Sequence, residues 1–144
     1  MGVTVAVLIP TSLERVWQAV ADLGSHTEWM QDARRIEFET AQQSGIGTRL
    51  RVETRLGPLR TIDVMEVTVW EPYRRIGVSH QGQVSGEGEF RLDAVAGGVV
   101  FTWNETLQFP WRFGGPLGAL LTEPIFRWIW RRNLNRLRQR LTQV

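Results

Sequence analysis

From Arg35 to Phe109 apolar residues recur at every second position, and the alternation is broken at SGIG, GP, EP, QGQ and AGG. Period two marks strands with one buried face, and brief Gly- or Pro-containing breaks between such runs mark tight hairpins. Nothing else in the chain constrains the fold as strongly. Six strands joined by turns this short must pair antiparallel with their neighbours, and the sheet they form has an apolar face that something must cover. TVAVLIP near the start supplies a seventh strand. Thr11 or Ser12 then caps a helix carrying Glu14, Val16, Trp17, Val20 and Leu23, Gly24 stops it, and SHTEWMQDA forms a second short helix with Trp29 and Met30 as its apolar pair.

The cover lies at the other end of the chain. Past FPWRFGGP, which ends the sheet, a helix of about 27 residues from Pro116 would span roughly 40 Å at 1.5 Å per residue. At 100° per residue Phe126, Ile129, Trp130, Asn133, Leu134, Leu137 and Leu141 share one stripe, while Arg131, Arg132, Asn135, Arg138 and Gln139 lie opposite. Pro124 should kink the helix or restart it, with Thr122 or Glu123 as cap, and Leu117, Leu121 and Ile125 project to another side as a movable lip. The expected architecture is α+β: a curved seven-stranded antiparallel sheet around a long C-terminal helix, with two short helices after the first strand, in one domain spanning 1–144.

Strand phase assigns the inner face. It holds Val99, Phe101, Trp103, Glu105, Leu107 and Phe109 on one strand and Val84, Gly86, Gly88, Phe90 and Leu92 on its neighbour. Ile76 and Val78 face inward with His80 in their phase. A two- or four-residue loop at EP would place Met65 and Val67, and hence Asp63, on the same face. Leu50 and Val52 complete the set.

Composition removes whole classes of chemistry. With no cysteine there are no disulfides, thiolate metal sites or cysteine nucleophiles, and with no lysine there is no Schiff base and no lysine-type phosphate loop. No segment approaches the apolar length of a membrane span. MGVTVAVLIP lacks the marks of a secretion signal or a myristoylation site, and a cytoplasmic location is expected. Net charge is only +2, yet Arg127, Arg131, Arg132, Arg136, Arg138 and Arg140 follow the last acid, Glu123.

IPTSLERVWQAVADLGSHTEWM, VTVWEPYRRIG, GEGEFRL and RRNLNRL, in this order, resemble the START-like helix-grip (SRPBCC) superfamily, and within it the bacterial polyketide cyclase/dehydrase branch. The likeness covers the whole chain; GGVVFTW departs from it, with Val99 where many relatives carry threonine. The resemblance implies a hydrophobic cavity between sheet and long helix, entered near the short helices. The family's members include cyclases, lipid carriers, hydrolase-like enzymes and ligand sensors, so a shared fold leaves the activity open.

Within that frame, Glu105, His80 and Asp63 are the candidate catalytic residues. Glu105, across from Gly88, either lines a cavity, where it could move a proton or hold a ligand hydroxyl, or pairs with an arginine at the sheet edge. Asp63 and His80 could form a carboxylate-oriented imidazole or a structural hydrogen bond. Trp29, Met65, Gly86, Gly88, Phe90, Trp103, Phe126, Trp130 and Asn133 are candidate ligand contacts, although aromatic walls describe packed cores as well. Asp22, His26, Glu28 and Asp32 cluster in sequence, but helical turns would scatter them, and no metal site is expected. Three functions follow. The first is a binder of a hydrophobic small molecule of lipid, polyketide or aromatic type, and the second a cofactor-independent cyclase or dehydratase. The third is an adaptor for RNA, the ribosome or an anionic membrane through the basic helix. Exposed Trp128 suggests a dimer contact or a membrane surface.

Overall fold

The computed structural model describes residues 1–82 and 84–143; Gln83, the last residue of the QGQ break, and Val144 lie outside them. Seven strands, β1 (Gly2–Ile9), β2 (Ala33–Phe38), β3 (Arg49–Leu56), β4 (Leu59–Glu71), β5 (Arg75–Gln81), β6 (Ser85–Val95) and β7 (Gly98–Gln108), form one antiparallel sheet in the order β1-β7-β6-β5-β4-β3-β2. The predicted faces agree with it: Val99, Phe101, Trp103, Glu105 and Leu107 are all buried, as are Leu50, Val52, Ile76 and Leu92.

Among the described residues two helices and two 3₁₀ turns, the second over Trp111–Phe113, accompany the sheet. Helix α1 (Leu13–Ala21) begins where the Ser12 hydroxyl accepts from the Arg15 amide at 3.2 Å, and it buries Val16, Trp17 and Val20. It stops short of the expected Leu23. The second helix also differs from expectation, being a 3₁₀ turn over Leu23–Glu28 with Trp29 at its end. The Ser25 hydroxyl donates to the Asp22 carbonyl at 2.7 Å, a local bond that competes with α-helical pairing.

The β4–β5 hairpin reaches the expected faces by a different route. Its loop has three residues, Pro72 to Arg74, with Tyr73 at φ 65°, where two or four were expected. An odd loop would turn the side chains of one strand to the wrong face, but a register shift between Val67 and Val69 inserts one more residue. The two offsets cancel, so Met65 pairs with His80 and Val67 with Val78 as the face assignment requires.

Helix α2 (Gly115–Thr142) is unbroken, so the expected fresh start at Pro124 does not occur. Thr122 donates its hydroxyl to the Gly118 carbonyl at 2.8 Å, and Glu123 accepts from Arg127 at 3.1 Å, so neither caps a new helix. Pro124 is exposed, and water can satisfy the carbonyl that its missing N–H leaves free. Trp130, Asn133, Leu134 and Leu137 are buried, with Phe126, Ile129 and Leu141 partly so, as the stripe predicted. Leu117, Leu120, Leu121, Ile125 and Trp128 are exposed. The helix runs closest to β1 and touches β7 more sparingly. A stack of rings joins it to the sheet: Phe126 on Trp130 at 5.4 Å, and Trp130 on Trp103 at 5.0 Å, both within 20° of parallel.

No helix among the described residues is long and apolar enough to cross a membrane.

Candidate functional site

Between the sheet and α2 lies a cavity of about 180 Å³, walled mainly by apolar side chains of β2 to β7 together with Phe126 and Trp130. Its polar part is built on the sheet. His80 is buried, and both ring nitrogens meet carboxylates: Nδ1 lies 2.6 Å from Asp63 Oδ2 and Nε2 lies 2.8 Å from Glu105 Oε2. A carboxylate only accepts, so two such contacts require both imidazole protons. Burial by itself would push the imidazole pKa down; the hydrogen bonds to Asp63 and Glu105, with their charges, outweigh it and hold the pKa up at about 10. The ring is therefore an imidazolium between two carboxylates. Glu105 Oε1 also accepts from the Trp103 indole at 3.0 Å, which engages both of its oxygens. Asp63 Oδ1 is buried with no hydrogen-bond partner among the described residues.

Glycine makes this cluster possible. His80 on β5 and Glu105 on β7 are separated by β6, which puts their backbones about 10 Å apart at the usual strand spacing. They meet because β6 presents Gly88 between them, paired with Val78 on one side and Glu105 on the other. A Cβ on Gly88 would lie 2.6 Å from Glu105 Oε1, and one on Gly82 would lie 2.8 Å from Asp63 Oδ1. The inward glycine that suggested empty space is thus the bed of the Glu105 carboxylate. Gly86 has a different reason: with φ at 140°, a Cβ there would meet the Thr106 carbonyl at 1.9 Å.

Of the other expected ligand contacts, Met65, Gly88, Phe90, Trp103, Phe126 and Trp130 line the cavity. Trp29, Gly86 and Asn133 lie outside the lining. Trp29 is buried behind it, edge-on to Phe101 and Trp103. Asn133 is fully buried and donates its amide to Asp32 Oδ1 at 2.7 Å while accepting from the Gln31 N–H at 3.1 Å. Asp63 and His80 are diagonal neighbours, because the residue opposite His80 is Met65.

His26, Asp32, Thr54, Thr61 and Glu89 are polar lining residues that were not anticipated as site residues, and of these His26 and Asp32 have displaced pKa values. His26 Nε2 lies 2.8 Å from the Val20 carbonyl, so it carries the proton and Nδ1 keeps its lone pair. Burial, only partly offset by that hydrogen bond, lowers its pKa to about 4. Asp32 is pushed the other way, its pKa raised by burial against the opposing bond from Asn133, with the Glu105 charge adding to the rise. Both sit just after α1, where only their place in a polar sequence cluster could be read. The rest of that cluster is dispersed: Asp22 ends α1, and Glu28 pairs with Arg140 at 2.8 Å.

The basic face of α2 is partly engaged within the chain. Arg127 donates to the Thr4 carbonyl and to Glu123, Arg136 to the Glu28 carbonyl, and Arg140 to the Glu28 carboxylate, while Arg132 stacks 4.8 Å over Trp128.

A family model described as "Polyketide cyclase / dehydrase and lipid transport" matches residues 1–142. Comparison with curated proteins finds no match. Among solved structures, TTHA0849 from Thermus thermophilus is similar with a TM-score of 0.81 at 19% identity, over 98% of this chain and 97% of that one. DR_A0006 from Deinococcus radiodurans gives 0.69 at 20% identity, over 96% and 95%. Zhui aromatase/cyclase from Streptomyces sp. R1128 gives 0.68 at 15% identity, over 98% and 90%. At such identities these likenesses bear on fold alone.

Proposed function

Since the chain belongs to the polyketide cyclase / dehydrase and lipid transport family, we propose that it binds one apolar small molecule between the sheet and α2. The observation that carries this reading is the cavity itself, mainly apolar in its walls, with the Asp63–His80–Glu105 cluster foremost among a few polar groups. Pockets of this kind take most of their affinity from apolar contact and their orientation from a few polar groups. N-phenyl-1-naphthylamine, a neutral fluorophore, should bind and brighten. Val78→Trp, which fills the cavity from its wall, should weaken binding at least about tenfold, roughly 1.4 kcal/mol, with the circular dichroism of the fold retained. Equal binding to the filled variant would sink the proposal.

The second reading is a cofactor-independent cyclase or dehydratase acting on a polyketide-like chain. The family's description, which names cyclases and dehydrases, supports it by class. Aldol closure moves a proton from an α-carbon to a base and delivers one to the carbonyl oxygen, and dehydration then expels the hydroxyl as water, so no oxidant is needed. The cluster favours binding over turnover, because His80 already holds both protons and both Glu105 oxygens already accept hydrogen bonds. Glu105→Gln and His80→Ala distinguish the two readings. A binder keeps its fluorophore affinity within a few-fold, whereas an enzyme assayed on a poly-β-ketone thioester loses turnover.

A further inference from the structure

The charge around the cavity is one-sided. Among the described residues no arginine lines it, whereas Asp32, Asp63, Glu89 and Glu105 do, and of these four Glu89 is paired with an arginine outside the lining, Arg75 at 3.5 Å. His80 balances one of the two carboxylates it touches, so the cluster already holds one uncompensated negative charge. A third ionised carboxyl nearby would add a second with no cation to pair it, which is expensive away from water.

Asp32 stands on the wall formed just after the 3₁₀ turn, and its geometry is specified from α2. Asn133 is fully buried, and its amide is oriented without ambiguity: the Gln31 N–H donates to its Oδ1 at 3.1 Å, so its Nδ2 donates to Asp32 Oδ1 at 2.7 Å. That bond occupies Oδ1 as an acceptor in either protonation state, so that a proton held by Asp32 would sit on Oδ2. No group of three or more ligating side chains among the described residues could hold a metal that would change this balance.

We propose that Asp32, held by Asn133, is a hydrogen-bond donor to the bound molecule, so that the cavity selects neutral apolar compounds bearing a carbonyl-type oxygen and rejects carboxylates. This rests on the small-molecule reading above and names the ligand class for the same site. The raised pKa of Asp32 supports it, since burial and the Glu105 charge both favour the protonated form.

Four probes of one shape test it by displacing N-phenyl-1-naphthylamine at pH 5.5: naphthalene, 2-acetylnaphthalene, 2-naphthoate and 2-naphthylmethylamine. The ketone should bind on the order of tenfold more tightly than the hydrocarbon, the yield of one good hydrogen bond, and the carboxylate more weakly than either. The ketone's advantage should fade as pH rises and Asp32 ionises. Asp32→Asn, whose amide still accepts from Asn133 and still donates to the ligand, should keep the advantage, read as the ratio of ketone to naphthalene affinity within one variant, and Asp32→Leu should lose it. If naphthalene displaces the fluorophore and the ketone does no better, the Asp32 assignment fails while the cavity stands. If the amine binds best and Asp32→Asn abolishes that preference, Asp32 is an ionised acceptor and the assignment is overturned. If the fluorophore itself does not bind wild-type protein, the small-molecule reading falls and takes this inference with it.

Discussion

His80 holds its second proton far into the alkaline range, to a pKa of about 10, whereas in an unfolded chain the imidazole releases it near 6.5. A folded pKa raised in this way stabilises the protein fully below about 6.5, progressively less between the two values, and not at all above about 10. Stability should therefore fall as pH climbs from 6.5 to 10, with a slope of up to about 1.4 kcal/mol per pH unit from this residue. His80→Gln, which cannot titrate, should flatten that slope in urea unfolding followed across the range. An unchanged slope would mean that the imidazolium is not what binds the two carboxylates. His26 acts at the other extreme. Its pKa, lowered to about 4 by burial, gives stability that is present above 6.5 and lost as pH falls toward 4. The two histidines thus bound the stable range from opposite sides.

Helix α2 does two jobs along its length. Its second half presses Trp130, Leu134 and Leu137 into the core, while its first half leaves Leu117, Leu120, Leu121 and Ile125 in solvent. Equal truncations on the two halves should have unequal costs. Leu134→Ala should destabilise by about 2–5 kcal/mol, and Leu121→Ala by no more than about 0.5 kcal/mol, as read from urea midpoints. Equal losses would show that the exposed half is held against something in solution. The stripe itself was legible, because a 3.6-residue period reports which side is buried whatever the partner. Continuity through Pro124 was not, since a proline's local penalty is visible in sequence while the packing and solvent access that offset it are not.

In the whole molecule, the sheet and its faces could be read from alternation alone, because period two is set by the pleat and survives a loop and a bulge whose offsets cancel. The Gly88–Glu105 pairing was legible for the same reason. What the glycine does was not, since the bond from His80 to Glu105 spans three strands, and phase says nothing about how far a side chain reaches. Asp32 and Asn133 were harder still. They lie 101 positions apart, and only the docking of α2 brings them together. The site is therefore assembled from the sheet, from the segment after α1 and from the last helix, and it exists only once all three are in place.

Trp103 touches each part of this assembly: its indole N–H is tied to Glu105, its ring meets Trp29 edge-on, and it lies against Trp130. Indole emission shifts in colour with the electric field across the ring, so this residue is a native dye fixed between the ionic cluster and the hollow. Entry of a guest, or departure of a proton from the imidazolium, would alter the field at that dye, and the part of the ultraviolet emission lost in Trp103→Phe should carry the change without any label.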